Sequence, residues 1–340
     1  SLRYLFALAA RNNLLVDQMD AITAFLQGDM EEEIYMEQPP CFEQPGKQNM
    51  VCRLNKALYG LKQSSRVWNT KLDAALKQLG LEQSKYDPCL YFYNGNGNML
   101  FVAIYVDDLM IFSNNEEMKN QLKTKLSSMF RMKDLGPAKH CLGIRVNYLN
   151  DGIALDQEAY IETILSRFKM QDCKAVATPM NSSIKLTKEM SPQTEEEKEE
   201  MSAVPFQEAV GCLMYLAQCT RPDILFAVNQ LSRYNNNPGS RHWQAVKHLM
   251  RYLRGTASMK LKYYRKGNEQ ITGYSDADWA ADTEDRKSTS GYIFLMQGGA
   301  VSWCCKRQPT VALSTCEAEY MALSAAVQEA SWWKGLLEQF

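Results

Sequence analysis

With 340 residues, 46% of them hydrophobic and 23% charged, the chain has the make-up of an ordinary globular protein of two or three domains. No apolar run approaches a membrane span and Asp107-Asp108 interrupt the longest one, which excludes a membrane-spanning helix. The net charge of −1 argues by itself against a polyanion-binding protein, but that average conceals a segregation of charge along the chain.

The first residues, Ser1-Leu2-Arg3, look neither like a secretory signal nor like a natural start, so the chain reads as an interior piece of something longer. Asn13 to Asp20 predicts a strand entering a turn. Ser64 to Leu79 places Val67, Trp68, Leu72, Ala75, Leu76 and Leu79 on one helical face, with Ser64 as N-cap and Gly80 as the stop. Met99 to Ser113 is two short apolar runs separated by Asp107-Asp108, the pattern of a β-hairpin with carboxylates at its tip. Glu116 to Phe130 returns to helical spacing through Met118, Leu122 and Leu126. Helices alternating with a hairpin sheet give an α+β domain.

Between Lys185 and Ser202 composition changes. Glu195-Glu196-Glu197-Lys198-Glu199-Glu200 is a dense acidic cluster bracketed by Pro179, Pro192 and Pro205, read as an exposed linker with a single helical turn. Phe206 to Leu253 is mostly helical. No acidic residue occurs between Asp223 and Glu269, a stretch that holds Arg233, Arg241, Lys247, Arg251, Arg254, Lys260, Lys262, Arg265 and Lys266. A phosphate-tracking surface and a solvated helix face fit that run about equally. Interleaved Tyr234, Trp243, Tyr252, Tyr263 and Tyr264 tilt it toward nucleic acid, although several belong in a core. Ile271–Tyr274, Gly291–Met296 and Ala300–Trp303 read as strands. Ser314 to Phe340 reads as one long helix with Met321, Ala322, Ala325, Trp333 and Leu336 on its apolar side. Ten irregularly spaced cysteines without a Cys-x-x-Cys pair, and only three histidines, argue against structural zinc; Cys304-Cys305 and the apolar settings of Cys212 and Cys316 indicate reduced thiols and an intracellular protein.

Chemistry centres on three carboxylates. Asp20 ends a predicted strand, and Asp107 and Asp108 stand at the hairpin tip. Nucleotidyl transfer needs two divalent cations, and Mg²⁺ prefers carboxylates with water and substrate phosphates. Adjacent carboxylates in an apolar hairpin repel each other unless a cation lies between them. A lone Asp-Asp at a hairpin tip is more often structural, because Asp suits turns. Tyr-x-Asp-Asp between two apolar strands, paired with Asp20, is a far narrower pattern.

The ordered blocks Gln18-Met19-Asp20 through Ala24-Phe25-Leu26-Gln27-Gly28-Asp29, Leu54-Asn55-Lys56-Ala57-Leu58-Tyr59-Gly60-Leu61-Lys62-Gln63-Ser64, Tyr105-Val106-Asp107-Asp108 and Thr220-Arg221-Pro222-Asp223-Ile224 carry a resemblance. With Ser275-Asp276-Ala277-Asp278-Trp279-Ala280, Arg286-Lys287-Ser288-Thr289-Ser290-Gly291-Tyr292 and Glu317-Ala318-Glu319-Tyr320 they span essentially the whole chain. The chain resembles the reverse transcriptase–ribonuclease H region of a copia-type LTR retrotransposon Pol polyprotein.

That resemblance implies an α+β palm with partial fingers over 1–170, a helical thumb and connector over 171–268, and a truncated ribonuclease-H-like domain over 269–340. It makes Asp20, Asp107 and Asp108 the metal ligands of RNA-directed DNA synthesis, with two Mg²⁺ ions per site and Mn²⁺ as a substitute. Phe25 then sits where such enzymes gate against a ribose 2′-hydroxyl, the alternative being a core aromatic beside Ile22. Gly60, Lys62, Gln63 and Tyr105 fall in segments that contact the incoming nucleotide and template, although Lys62 and Arg66 also fit solvated helix charges. Leu142-Gly143-Ile144 is a weak match to a primer-gripping hairpin. Arg241, Lys247, Arg251 and Arg254 are the nucleic-acid-contact candidates. Asp276 and Glu317 resemble the first two ribonuclease H carboxylates, the family's other two aspartates lying beyond Phe340, as its upstream fingers lie before Leu2. Ser314-x-x-Glu317 is also a capping box. The implied partners are RNA template, DNA primer, RNA–DNA hybrid, dNTPs and the rest of Pol, with no membrane. The implied setting is a cytoplasmic virus-like particle with a nuclear phase. A decayed fragment binding nucleic acid without catalysis is the rival reading. A viral RNA-copying polymerase shares the paired aspartates but has no use for the Asp276-to-Tyr320 block.

Overall fold

The computed structural model describes residues 1–181 and 183–340. The chain opens with α1 (Leu2–Asn12) and β1 (Leu15–Ala21), and a small separate ribbon follows, β2 (Tyr35–Glu37) with β3 (Val51–Arg53). Next come α2 (Ser64–Gln78), β4 (Glu82–Gln83), β5 (Leu90–Gly95), β6 (Asn98–Tyr105), β7 (Asp108–Ser113), α3 (Glu116–Met129) and β8 (Met132–Pro137). The chain continues through β9 (His140–Cys141), β10 (Ile144–Leu149), β11 (Gly152–Asp156), α4 (Glu158–Arg167), α5 (Glu195–Ser202), α6 (Phe206–Cys219), α7 (Leu225–Ser232) and α8 (Ser240–Gly255). It ends with β12 (Leu261–Tyr264), β13 (Thr272–Ala277), β14 (Thr289–Met296), β15 (Gly299–Arg307) and α9 (Thr315–Glu338). Helix and sheet are mixed throughout. No helix among the described residues is long and apolar enough to cross a membrane.

Packing divides the chain into two compact units. One comprises Ser1, Asn13–Ala138 and Gly335–Phe340, and the other Leu2–Asn12 and Lys139–Lys334.

The first unit is built on an antiparallel sheet of order β4-β5-β6-β7-β1-β8. Strand period sends alternate side chains to opposite faces. Met19, Val102, Leu109 and Ile111 go to the face packed by Trp68, Leu72 and Leu76 of α2 and Leu122 and Leu126 of α3. Asp17 shares that face with Met19, and both its oxygens are taken by α3, from Lys119 Nζ at 2.8 Å and Lys123 Nζ at 2.5 Å. Val16, Gln18 and Asp20 point the other way. The expected N-cap at Ser64 is corrected: Gln63 holds that place and Ser64 lies inside the helix, its hydroxyl spent on the Leu58 carbonyl.

The second unit holds an antiparallel sheet of order β12-β11-β10-β9, a sheet of order β13-β14-β15, and a helical core of α4, α6, α7 and α8. The α1 helix is seated on β11, β12 and β15. Arg3 fixes it there, donating to the Val301 and Cys219 carbonyls at 3.0 and 3.2 Å with its guanidinium 3.8 Å above the Trp303 ring. The acidic stretch is more helical than the single turn expected of it. Residues 195–202 form a helix of eight residues, started by a capping box in which Thr194 and Glu197 satisfy each other's backbone N–H groups. Three glutamates in its first turn favour the helix N-terminus electrostatically.

Candidate active site

Two residues, Val106 and Asp107, join β6 to β7, with Tyr105 paired opposite Asp108. Such tight hairpin loops need a left-handed residue, and Val106 takes that role at φ 57°. Strand β1 runs beside β7 with Asp20 directly opposite Asp108. The Ala21 N–H donates to the Asp107 carbonyl at 2.8 Å, tying the turn to the end of β1. Asp20 and the Asp107-Asp108 pair, remote from it in sequence, are thereby neighbours on one rim of the sheet. Gln18, on the same face as Asp20, donates from Nε2 to Asp108 Oδ1 at 3.0 Å. On the other side of β1, Lys133 of β8 pairs with Asp20.

Electrostatics follow from this register. Partial burial first, and then the charges of Asp107 and Asp108, push the Asp20 carboxyl above its ordinary value, with Lys133 partly offsetting them. A raised acid penalises the folded state fully above its folded pKa, and the penalty fades as pH falls toward the ordinary carboxyl value. Asp20→Asn is therefore expected to stabilise the metal-free protein at neutral pH, by at most about 1 kcal/mol because the site is open to solvent screening. Thermal melts at pH 7 and pH 4 check this: the gain should be present at the first pH and shrink at the second.

The side chains of Asp20, Asp107 and Asp108 supply oxygen ligands only, the set Mg²⁺ and Mn²⁺ prefer. As they stand, no group of three or more His, Cys, Asp or Glu among the described residues is closed around a point that would hold a metal ion. Mutual repulsion disfavours closer approach of the three carboxylates, and the Gln18 amide occupies one oxygen of Asp108.

Phe25 follows β1 in a short 3-10 turn, Ala24–Gln27, and is 9% exposed. Its ring stacks obliquely on Tyr59, centroids 4.5 Å apart. Tyr59 was not among the residues singled out from the sequence. It is 55% exposed, and its phenol is pushed up by partial burial and then by the charges of Asp107 and Asp20. Its sequence signal was its place in the block from Leu54 to Ser64, immediately before Gly60. Gly60 is exposed at φ 98°, a conformation that favours glycine. Lys62 is exposed, Gln63 half-buried and Tyr105 exposed at the end of β6.

Residues 1–182 match the family model for reverse transcriptase (RNA-dependent DNA polymerase). The chain belongs to the reverse transcriptase family. Over its whole length it is 48% identical to the retrovirus-related Pol polyprotein from transposon TNT 1-94 of Nicotiana tabacum, of which it covers 26%. It is 37% identical, again over its whole length, to the Pol polyprotein from transposon RE2 of Arabidopsis thaliana, of which it covers 23%. Against the putative transposon Ty5-1 protein of Saccharomyces cerevisiae it is 33% identical over 92% of its own length and 100% of that protein. This is the reverse transcriptase region of a copia-type Pol polyprotein, and it spans about a quarter of the plant polyproteins it matches. A foamy viral protease–reverse transcriptase solved with double-stranded DNA gives a TM-score of 0.24 at 11% identity, covering 92% of this chain and 49% of that one, too slight a likeness to bear on the fold.

Elsewhere in this reverse transcriptase chain, Asp276 lies exposed on β13. The Glu317 N–H donates to Ser314 Oγ at 3.1 Å, half of the expected capping box, while its carboxylate accepts the N–H of Leu313 at 2.7 Å instead of that of Ser314. Asp278 accepts the Ala281 and Thr289 N–H groups and organises a turn. The basic run is only partly free of counter-charge, because acids distant in sequence supply it. Arg233 meets Asp282 and Glu284, Lys260 meets Asp156, and Lys262 meets Asp151. Tyr234, Tyr252 and Tyr263 are buried in the core. Arg241, Lys247 and Arg251 line a cavity of about 520 Å³ together with Met180, Leu186 and Leu231. Arg254 is exposed on the same helix, α8.

Proposed function

We propose that this chain carries the polymerase centre for RNA-directed DNA synthesis, with Asp20, Asp107 and Asp108 as the residues that would hold two Mg²⁺ ions. The register that sets Asp20 opposite Asp108, with Asp107 tied to Ala21 in the adjoining turn, supports it. Bound there, the metal would activate the primer 3′-hydroxyl and stabilise charge on the α-phosphate of a dNTP. The protein's part is to hold three carboxylates on a rigid sheet rim, to keep Asp108 oriented through Gln18, and to offset their repulsion with Lys133. Primer extension on an RNA template with Mg²⁺, by the chain supplied with an upstream fingers segment, tests the reading; no extension in that form would sink it.

In this reading residues 1–170 are palm with partial fingers, 171–268 thumb and connector, and 269–340 a ribonuclease-H-like domain carrying Asp276 and Glu317. Arg241, Lys247, Arg251 and Arg254 track the phosphates of an RNA–DNA hybrid. Gly60, Lys62, Gln63 and Tyr105, now with Tyr59, line the nucleotide's approach. The parent polyprotein works in a cytoplasmic particle with a nuclear phase. Phe25, its ring backed by Tyr59, stands against the sugar and excludes a 2′-hydroxyl. Phe25→Ala is expected to relax discrimination against ribonucleotides by roughly 10- to 100-fold, one lost steric contact being worth about 1–3 kcal/mol. The ratio of kcat/KM for dNTP over rNTP checks this, and an unchanged ratio would leave Phe25 a core residue.

A further inference from the structure

We infer that Trp68 is a positioning residue of the carboxylate site, its indole N–H fixing the turn that carries Asp107. The inference rests on the metal-binding reading above. Trp68 lies in α2, is 2% exposed, and packs edge-on against Phe130 with centroids 5.3 Å apart. A buried tryptophan needs an acceptor for its single polar hydrogen. Here Nε1 donates to the Val106 carbonyl at 2.7 Å. That carbonyl belongs to the peptide bond between Val106 and Asp107, the middle of the turn.

Val106 is the reason the bond matters. A β-branched residue at φ 57° is held against its preference, where hairpin loops of this kind ordinarily place glycine. The next carbonyl, that of Asp107, is taken by Ala21 N–H. The two carbonyls of the turn are thus each held from outside the hairpin, one by α2 and one by β1. Without the indole donor the Val106 carbonyl loses its partner and Val106 relaxes toward negative φ. That motion rotates the peptide plane and carries the Asp107 carboxylate away from Asp20 and Asp108. A tryptophan that served only as core filler would affect stability and leave ion binding alone.

The test titrates the full chain with Mn²⁺, following free ion by electron paramagnetic resonance alongside a thermal melt. It compares the parent with Trp68→Phe and with Trp68 replaced by 3-benzothienylalanine, which keeps the bicyclic shape and lacks the N–H. Both are expected to bind Mn²⁺ about tenfold more weakly, the usual cost of losing an outer-shell partner. Adding Val106→Gly, which removes the left-handed strain, should restore most of that loss. Parental affinity in the benzothienylalanine form, or no recovery with Val106→Gly, overturns the role of Trp68. Should Trp68→Phe fail to fold, the isosteric form decides alone. Asp107→Asn separates the two levels: if it too leaves Mn²⁺ binding unchanged, the metal-binding reading itself fails, and if it alone weakens binding, only the part given to Trp68 fails.

Discussion

Asp107→Asn is expected to abolish primer extension, with a loss of at least about 10²–10³-fold in kcat, the scale of removing one preorganised electrostatic group. Asparagine is isosteric with aspartate and leaves the backbone bond from Ala21 to the Asp107 carbonyl in place. The hairpin therefore keeps its shape while one of the carboxylates proposed to hold metal loses its charge. A second consequence runs with it. Asp107 is one of the charges raising Asp20, so its neutralisation lets the Asp20 carboxyl fall toward its ordinary value, and the metal-free protein should become no less stable. Extension by the Asn form at the parental rate, on an RNA template with Mg²⁺, is the result that ends the metal-ligand role.

Asp17→Ala is expected to cost about 3–5 kcal/mol of folding stability, the range for removing one member of a buried charge network. Asp17 and Lys119 are both buried, and Lys123 bridges Asp17 to Asp134 at 2.5 and 2.8 Å. Burial alone would lower the Lys123 ammonium, yet its bonds to Asp134 and Asp17 raise it above its ordinary 10.5. Burial likewise opposes ionisation of Asp134, and the Lys123 bond still holds that carboxyl below its ordinary 3.8. The signs set a window. The Lys123 contribution is complete below 10.5 and fades as pH rises through the raised folded value. The Asp134 contribution is complete above 3.8 and fades as pH falls through the lowered one. Urea unfolding at pH 7 reads the loss, and Asp17→Ala with Lys119→Met should recover part of it by removing the stranded cation. A single-variant loss below about 1 kcal/mol would mean water reaches the network.

The site was legible where periodicity and chemistry agreed. Two apolar runs split by Asp107-Asp108 give a hairpin with carboxylates at its tip, and Asp20 ends the strand that the pattern from Asn13 predicts. What joins them was not legible, since the Asp20–Asp108 register and the Ala21–Asp107 bond depend on which strands become neighbours. Trp68 reads correctly as core, but its donor reaches a residue 38 positions away. Tyr59 looks like any loop aromatic until it is seen stacked on Phe25. The α5 helix announces itself in Thr194-x-x-Glu197, a signal outweighed by the acidic composition around it. The basic run shows the converse: a stretch that lacks acids locally receives them from Asp151, Asp156, Asp282 and Glu284. Leu2–Asn12 was not read as an element at all, and in the structure it is a helix with Tyr4 to Ala10 all buried.

That first helix bears on how the protein is made and cut. It emerges from the ribosome before any strand it rests on, and β15 follows some 290 residues behind it. Its apolar surface therefore waits for that strand until β15 has been made, a long-range closure of the kind that slows folding and invites aggregation. The stretch that matches the polymerase family, 1–182, contains α1 and β11 but neither β12 nor β15. A soluble fragment bearing the carboxylates is better begun at Asn13 than at Ser1.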